Sequence, residues 1–478
     1  MLFSSVEFLY YFLPITLILY FAVPFKFKNL VLLISSLFFY FYGEPIYMFM
    51  MLGTALYAYV LGILIDKFRE NKFLSRLFLV LSVAGELAVL GVFKYSDFFI
   101  ENINALINGN LKLLGLALPI GISFYTFQTL SYTVDVYRGE AKVQKSFIKL
   151  AAYVTLFPQL IAGPIVRYTT VEEELTKRTH SFENFSYGAT RFIIGLSKKI
   201  LIANVLGELV AEFKASGDQS VLYFWLYAVA YALHIYFDFS GYSDMAIGLG
   251  RMFGFNFLEN FNYPFISKTA TEFWRRWHMS LGSWFRDYVY IPLGGNRAGK
   301  MRHLFNILVV WVLTGVWHGA DWNFILWGLM FAVILALEKF IYGKKLEKIP
   351  VLSHVYMFVI ILISFVVFDA TAAYEGGKMV ASSFEVLAYR IGGMFGAGDI
   401  PLVSAEALYN LRSYGFVIIL GIIGSTPLLK SVVERIKKTE KGNKIVNVLT
   451  PVTVAILLLV VTAYLADGSF NPFLYFRF

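Results

Sequence analysis

Thirteen apolar runs, separated by short polar or basic breaks, fill most of this chain. They lie near residues 8–23, 29–42, 46–65, 77–93, 114–134, 147–166, 187–211, 221–248, 303–317, 322–341, 353–370, 413–429 and 447–465. A bilayer gives such runs a place, because a spanning helix needs ~20 mostly apolar residues. Composition leaves little alternative: 58% of residues are hydrophobic and 15% charged, where soluble domains carry about 25% charged. Disorder is excluded, since disordered chains are poor in apolar residues. The expected fold is an all-α polytopic integral membrane protein with about 11 spanning helices plus re-entrant segments, some runs being too short or too broken to cross. Phe157-Pro158-Gln159-Leu160-Ile161-Ala162-Gly163-Pro164 is such a broken run and reads as re-entrant.

The basic residues orient the chain. Lys26 and Lys28, then Lys67, Arg69, Lys72 and Arg76, fall on one side, as do the loops at 344–348 and 430–444. Residues 250–302 add 8 Lys/Arg against 3 Asp/Glu. By the positive-inside rule that side is cytoplasmic, which puts both termini outside. Residues 1–25 contain no Lys or Arg, so the 8–23 run reads as a permanent span rather than a cleaved signal. Net charge is +9, but basic residues beside apolar runs mark topology, and no nucleic-acid partner is expected. The outer segment 371–411 contains an amphipathic run, Met379 to Phe395, suited to the interface. With no repeat or linker, residues 1–478 read as a single domain: N-terminal helices to 100, a core at 114–341 containing the cytoplasmic block 250–302, and C-terminal helices at 353–478.

There is no Cys, which removes disulfides, thiol nucleophiles and thiolate metal sites. Among the six His, His318 stands out. It sits in Thr314-Gly315-Val316-Trp317-His318-Gly319-Ala320-Asp321-Trp322, at the turn between two apolar runs. An ionisable group there is a functional candidate. A neutral imidazole suits general-base work on a hydroxyl, while a structural His bonded to a carbonyl is the competing reading. Gly315 and Gly319 allow close backbone approach, and Trp317 and Trp322 could wall a cavity. On the 221–248 run, His234 and Asp238 have i, i+4 spacing and can pair; with Asp244 they suit helix packing or, alternatively, ion coupling. His180, His303 and His354 have no partner at ligand spacing. The chain has no H-E-x-x-H or G-x-S-x-G, and no metal is expected.

The cytoplasmic block Phe273-Trp274-Arg275-Arg276-Trp277-His278 through Trp284-Phe285-Arg286 suits amphipathic helices at the inner interface. After a strand-like Tyr288 to Leu293, Gly294 to Lys300 has the spacing G-x-x-x-x-G-K. Met301 stands where a nucleotide-binding loop needs Ser or Thr. The weaker reading keeps a basic turn that holds a phosphate-bearing molecule through backbone N–H groups and Arg297, Lys300 or Arg302.

These pieces, with Pro119 to Gln128, Val316 to Ala320 and the terminal Asn471 to Phe478, resemble the membrane-bound O-acyltransferases, and within them the alginate O-acetylation subgroup. The resemblance implies helices around a central funnel or tunnel. It implies that His318 is catalytic and that His278 is the family's second histidine, lining the donor tunnel or orienting groups. Trp317, Asn296 and Asp321 are supporting candidates, Trp317 and Asn296 as oxyanion donors, and Arg297, Lys300 and Arg302 face the donor. No bound cofactor is implied; the acyl donor is a cytoplasmic thioester, acetyl-coenzyme A or an acyl carrier protein. The implied outcome is O-acetylation of an exported or cell-wall polysaccharide from a bacterial cell membrane, with an extracytoplasmic SGNH-type acyltransferase, polysaccharide export machinery and membrane lipids as partners. D-alanyl transfer to teichoic acid is the related alternative. An ion-coupled polysaccharide or lipid transporter, or a scaffold, is the reading from other classes.

Overall fold

The computed structural model describes residues 1–468 except 162, 298, 347, 376 and 377. The Asn471–Phe478 stretch, Ala162 and Ala298 therefore lie outside the described residues. Seven described helices are long and apolar enough to cross a membrane: Tyr47–Lys67, Lys72–Ile107, Val221–Met252, Trp322–Tyr342, Pro350–Asp369, Ala405–Gly424 and Glu440–Ala466. The chain is a multi-pass, all-α membrane protein. The runs at 29–42, 114–134 and 303–317 also fold as helices, Phe25–Phe41, Ile122–Arg138 and Lys300–His318, which are shorter or more polar than those seven. Among the described residues the one sheet is a two-stranded antiparallel hairpin, Ala373–Glu375 with Lys378–Ala381. It takes the front of the outer amphipathic run, and the rest folds as the helix Ser383–Met394, started by a Ser382/Glu385 capping box.

Burial sorts the helices into pillar and rim. Val221–Met252 is apolar around its circumference and mostly buried, as such a helix must be. Helix Phe182–Ser197 crosses it at backbone contact: a Cβ on Gly195 would strike the Gly241 carbonyl, and one on Gly241 would strike that of Gly195. Small residues allow this approach where no water drives helices together. Glu440–Ala466 buries only Gly442 and Val461, so its long apolar flank is left for lipid.

The two carboxylates on the Val221–Met252 helix are ion-paired, though not as spacing predicts. Asp238 makes a 2.6 Å ion pair with Lys199, both side chains at 1% exposure or less. Lys199 comes from a π-helical turn, Lys198–Asn204, whose wider pitch carries it toward the pillar. The expected His234–Asp238 hydrogen bond does not form; the His234 ring lies parallel to that of Tyr231 instead. Asp244 is held by Arg191 at 2.8 Å and Lys198 at 2.7 Å.

After helix Phe147–Thr155, residues 157–161, 163 and 164 run as buried, irregular turns. Side chains of other elements satisfy the backbone at the two ends of this segment: Phe157 N donates to Ser36 Oγ, and Ile165 N, just beyond it, to Ser280 Oγ, both at 3.0 Å. Broken backbone is tolerated at depth on those terms. The strand expected at Tyr288–Leu293 is absent. Arg286–Tyr290 continues helix Met279–Phe285 as a wide helical turn, and residues 291–296 follow as turns. The aromatic residues there pack inward, Tyr288 against Trp284 at 5.0 Å between ring centroids, rather than pairing in a sheet.

Candidate functional site

His318 is the last residue of the Lys300–His318 helix. The hairpin folds there because Gly315 and Gly328 let two helices touch: a Cβ on Gly315 would meet the Phe324 carbonyl, and one on Gly328 that of Trp311. Asp321 then starts the next helix, accepting from Trp322 N at 2.6 Å. The imidazole is 4% exposed and enclosed by ring edges, with centroids of Trp317, Trp327 and Phe368 at 5.0, 5.1 and 5.2 Å. Its Nδ1 has no hydrogen-bond partner among the described residues. His318 and Trp317 line a narrow cleft with Lys94, Ser123, Phe124, Ile161 and the 118–122 turn.

The second histidine is close by. His278 is buried and starts helix Met279–Phe285 with φ 45° and ψ 52°, a left-handed conformation that costs a non-glycine residue of order 1–3 kcal/mol. Asn260 holds it there. Asn260 Oδ1 meets His278 Nδ1 at 3.2 Å and also accepts from Ser280 N at 3.2 Å and Ser280 Oγ at 2.9 Å. The Asn260 carbonyl accepts from Met279 N at 3.0 Å, and Asn260 Nδ2 donates to Ser243 Oγ at 3.1 Å. With Nδ2 turned to Ser243, Oδ1 must be the acceptor, so the hydrogen-bond network assigns the neutral ring's proton to Nδ1. Nε2 is left as a buried lone pair without a partner. The indole of Trp317 stands against both imidazoles, 5.0 Å from His318 and 5.9 Å from His278, and its Nε1 is likewise buried and unpartnered. Three unsatisfied polar atoms around one indole are expensive in a membrane interior unless a ligand meets them.

The other expected residues divide. Asp321 is not at the reacting face, since its second oxygen accepts from Ala372 N at 2.7 Å and both oxygens serve backbone. Asn296 is exposed in the glycine-rich turn at the far end of the His318 helix. Nineteen helical residues at 1.5 Å each put that end roughly 28 Å away, so Asn296 cannot serve as an oxyanion donor at His318. Arg297, Lys300 and Arg302 are exposed around the same turn, which Asn306 pins by donating to Gly295 O at 2.8 Å. Gly294 and Gly299 there have φ of 103° and 85°, open in practice to glycine. In the block between, Trp284 stacks on Phe127 at 3.8 Å, and Phe127 on Trp317 at 5.5 Å. His180 bonds Tyr20, His303 packs on Phe340 and His354 meets the Pro350 carbonyl, so each has a local task. Among the described residues no group of three or more His, Asp or Glu could hold a metal ion.

Two site residues escaped sequence reading, Lys94 and Asn260. Lys94 looks like a charge at the edge of an apolar run; its solitude there was the available signal. Asn260 sits in an irregular segment, where no spacing points at His278.

A buried histidine at a cleft, backed by a second histidine across one tryptophan, is the geometry against which the relatives can be set. Aligned over 100% of both chains, this one is 37% identical to the probable alginate O-acetylase AlgI of Azotobacter vinelandii. The chain belongs to the membrane-bound O-acyltransferase family. The family model, "MBOAT, membrane-bound O-acyltransferase family", matches residues 131–344, a stretch that contains Asn260, His278 and His318 but not Lys94. The peptidoglycan O-acetyltransferase of Helicobacter pylori is 33% identical over 71% of this chain and 70% of its own. The teichoic acid D-alanyltransferase of Bacillus subtilis is 31% identical over 48% of this chain and 62% of its own. As a membrane-bound O-acyltransferase, the protein is an enzyme that takes an acyl group from a donor.

Proposed function

We propose that this acyltransferase moves an acetyl group from a cytoplasmic thioester to a hydroxyl at the outer side of a bacterial cell membrane, for O-acetylation of an extracellular or cell-wall polysaccharide. The observation that carries this reading is His318, whose unpartnered ring nitrogen sits in the wall of a cleft. In the proposed step the neutral imidazole takes the acceptor's hydroxyl proton as the oxygen attacks the thioester carbonyl. The tetrahedral intermediate collapses with loss of the C–S bond, and the imidazolium returns the proton to the departing thiolate. Trp317 Nε1 stands ready as a donor to the developing oxyanion. His278, fixed with Nε2 free, accepts a hydrogen bond from the donor's arm or from the acceptor.

The 28 Å helix supports a division of labour. Arg297, Lys300 and Arg302 hold the donor's phosphates at the cytoplasmic end, and the acyl group is delivered along the aromatic block to His318. The donor is acetyl-coenzyme A or an acyl carrier protein. Both termini lie outside in this reading, and an extracytoplasmic SGNH-type protein with the export machinery receives or passes on the acetyl group. The alginate and peptidoglycan O-acetylases among the relatives favour acetate over D-alanine.

The test is ester-linked acetate on the extracellular glycans of a deletion strain complemented with wild type, His318→Ala or Asp238→Asn at matched membrane levels. Acetate is expected with wild type, to be lost with His318→Ala and to persist with Asp238→Asn. Full recovery with His318→Ala would overturn the assignment. Ester-linked D-alanine in place of acetate would redirect it to teichoic acid, and loss with Asp238→Asn alone would favour ion-coupled transport.

A further inference from the structure

Lys94 belongs to no motif, and the acyl-transfer reading gives it no task. It is the one basic residue of its helix between Arg76 and Ile107. Counting from Lys72 at ~1.5 Å per residue, it lies about 33 Å along its helix. That approaches the depth of His318 along the neighbouring one, and the two side chains border the same cleft.

Its bonds go to the residues that matter. Lys94 Nζ donates to the Trp317 carbonyl at 2.5 Å, to Ser123 Oγ at 3.3 Å and, more loosely, to the His318 carbonyl at 3.4 Å. Tyr95, the next residue, donates to the Val316 carbonyl at 2.6 Å. These carbonyls end the His318 helix, where backbone acceptors have no intrahelical partner and the helix dipole is negative. Lys94 therefore caps that helix from another span. The cap also fixes Lys94 Nζ at the cleft, 5.8 Å from the Trp317 ring centroid. The long bond to His318 O is the one most easily exchanged for a better acceptor.

We propose that Lys94 is a positioning residue for acyl transfer, holding the end of the His318 helix and placing its protonated amino group where the acyl carbonyl oxygen becomes an anion. The inference rests on the acyltransferase reading of His318. A fixed cation stabilises a charge that exists only in the transition state, and losing one such preorganised group typically lowers turnover by 10²–10³. Caps also act through hydrogen bonding alone, so the experiment separates the two. Cells of the complemented deletion strain are fed labelled acetate, and the initial rate of ester formation on surface glycans is read per molecule of protein in the membrane. The variants are Lys94→Arg, Lys94→Gln and Lys94→Met, with thermal stability measured on each in detergent.

Lys94→Gln keeps an N–H for the carbonyls and loses the charge. The expected result is a rate within about tenfold of wild type for Lys94→Arg, and at least ~100-fold below it for Lys94→Gln and Lys94→Met. Lys94→Gln is expected to melt close to Lys94→Arg. Equal rates for Lys94→Gln and Lys94→Arg would overturn the proposal, because the charge would then be irrelevant. A fully active His318→Ala control would instead locate the failure in the acyltransferase site itself.

Discussion

Asn260 offers the most direct test of how the site is built. Replacing it with Leu keeps the volume and removes the acceptor that serves His278 Nδ1, Ser280 N and Ser280 Oγ. The hydroxyl can rotate to another partner, the ring N–H is left with only a long 3.5 Å contact to Ser280 Oγ, and the backbone N–H has no substitute. Each buried donor left unpaired costs about 1–3 kcal/mol, so Asn260→Leu should lose about 2–6 kcal/mol. That is a large share of the ~5–15 kcal/mol that holds an ordinary domain together. Losing the bond that selects the Nδ1–H form, at about 1–1.5 kcal/mol, also changes the tautomer ratio of His278 by roughly tenfold. Acyl transfer should therefore fall by at least tenfold in protein that still folds. Ser243→Ala is the control, since it loses only the bond on the Nδ2 side and should cost about 1 kcal/mol with little effect on rate. Thermal melting in detergent and ester formation per molecule read the two quantities. Wild-type melting and rate in Asn260→Leu would refute the reasoning, because the tautomer and backbone assignments would then carry no weight.

Three further outcomes follow from the packing. Gly315→Ala should destabilise by about 1–3 kcal/mol through overpacking against Phe324, seen as lower membrane yield and a lower melting temperature; a neutral result would mean the hairpin has slack. Lys199→Met should cost about 3–5 kcal/mol by removing the cation of a buried ion pair, and Lys199→Met with Asp238→Leu should melt above the single variant, an order that fails if the ion pair is not coupled. Asp321→Ala removes two backbone acceptors and should cost about 1–2 kcal/mol with turnover changed less than threefold; an inactive but stable Asp321→Ala would return that carboxylate to the reacting site.

What could be read from residues alone was the chemistry that needs costly groups. His318 is legible because an ionisable residue between two apolar runs must have a reason to be there, and Gly315 because a hairpin in lipid needs small residues at its crossing. The broken Phe157–Pro164 run announced itself through proline. Failures came where partners arrive from distant elements. The His234–Asp238 spacing is correct for a helix face, yet Lys199 reaches Asp238 from a π-helical turn that no periodicity foretells. Tyr288 to Leu293 looks like a strand because aromatic and β-branched residues suit sheets, while here they continue a helix against Trp284. Asn260 and Lys94 take their meaning from contacts with residues 18 and 224 positions away, which local pattern does not encode.

The helix that ends in His318 is also a screw of fixed length. Its lower end is pinned by Asn306 to the Gly295 carbonyl and its upper end by Lys94 and Tyr95. One residue inserted between those pins would raise His318 by only about 1.5 Å but turn it by roughly 100°. The imidazole would leave the cleft sideways, into the neighbouring helices. Between 307 and 313 the gene can therefore tolerate exchange of one apolar residue for another, but no gain or loss of a single codon, and natural variants of this enzyme should differ there in letters and never in count.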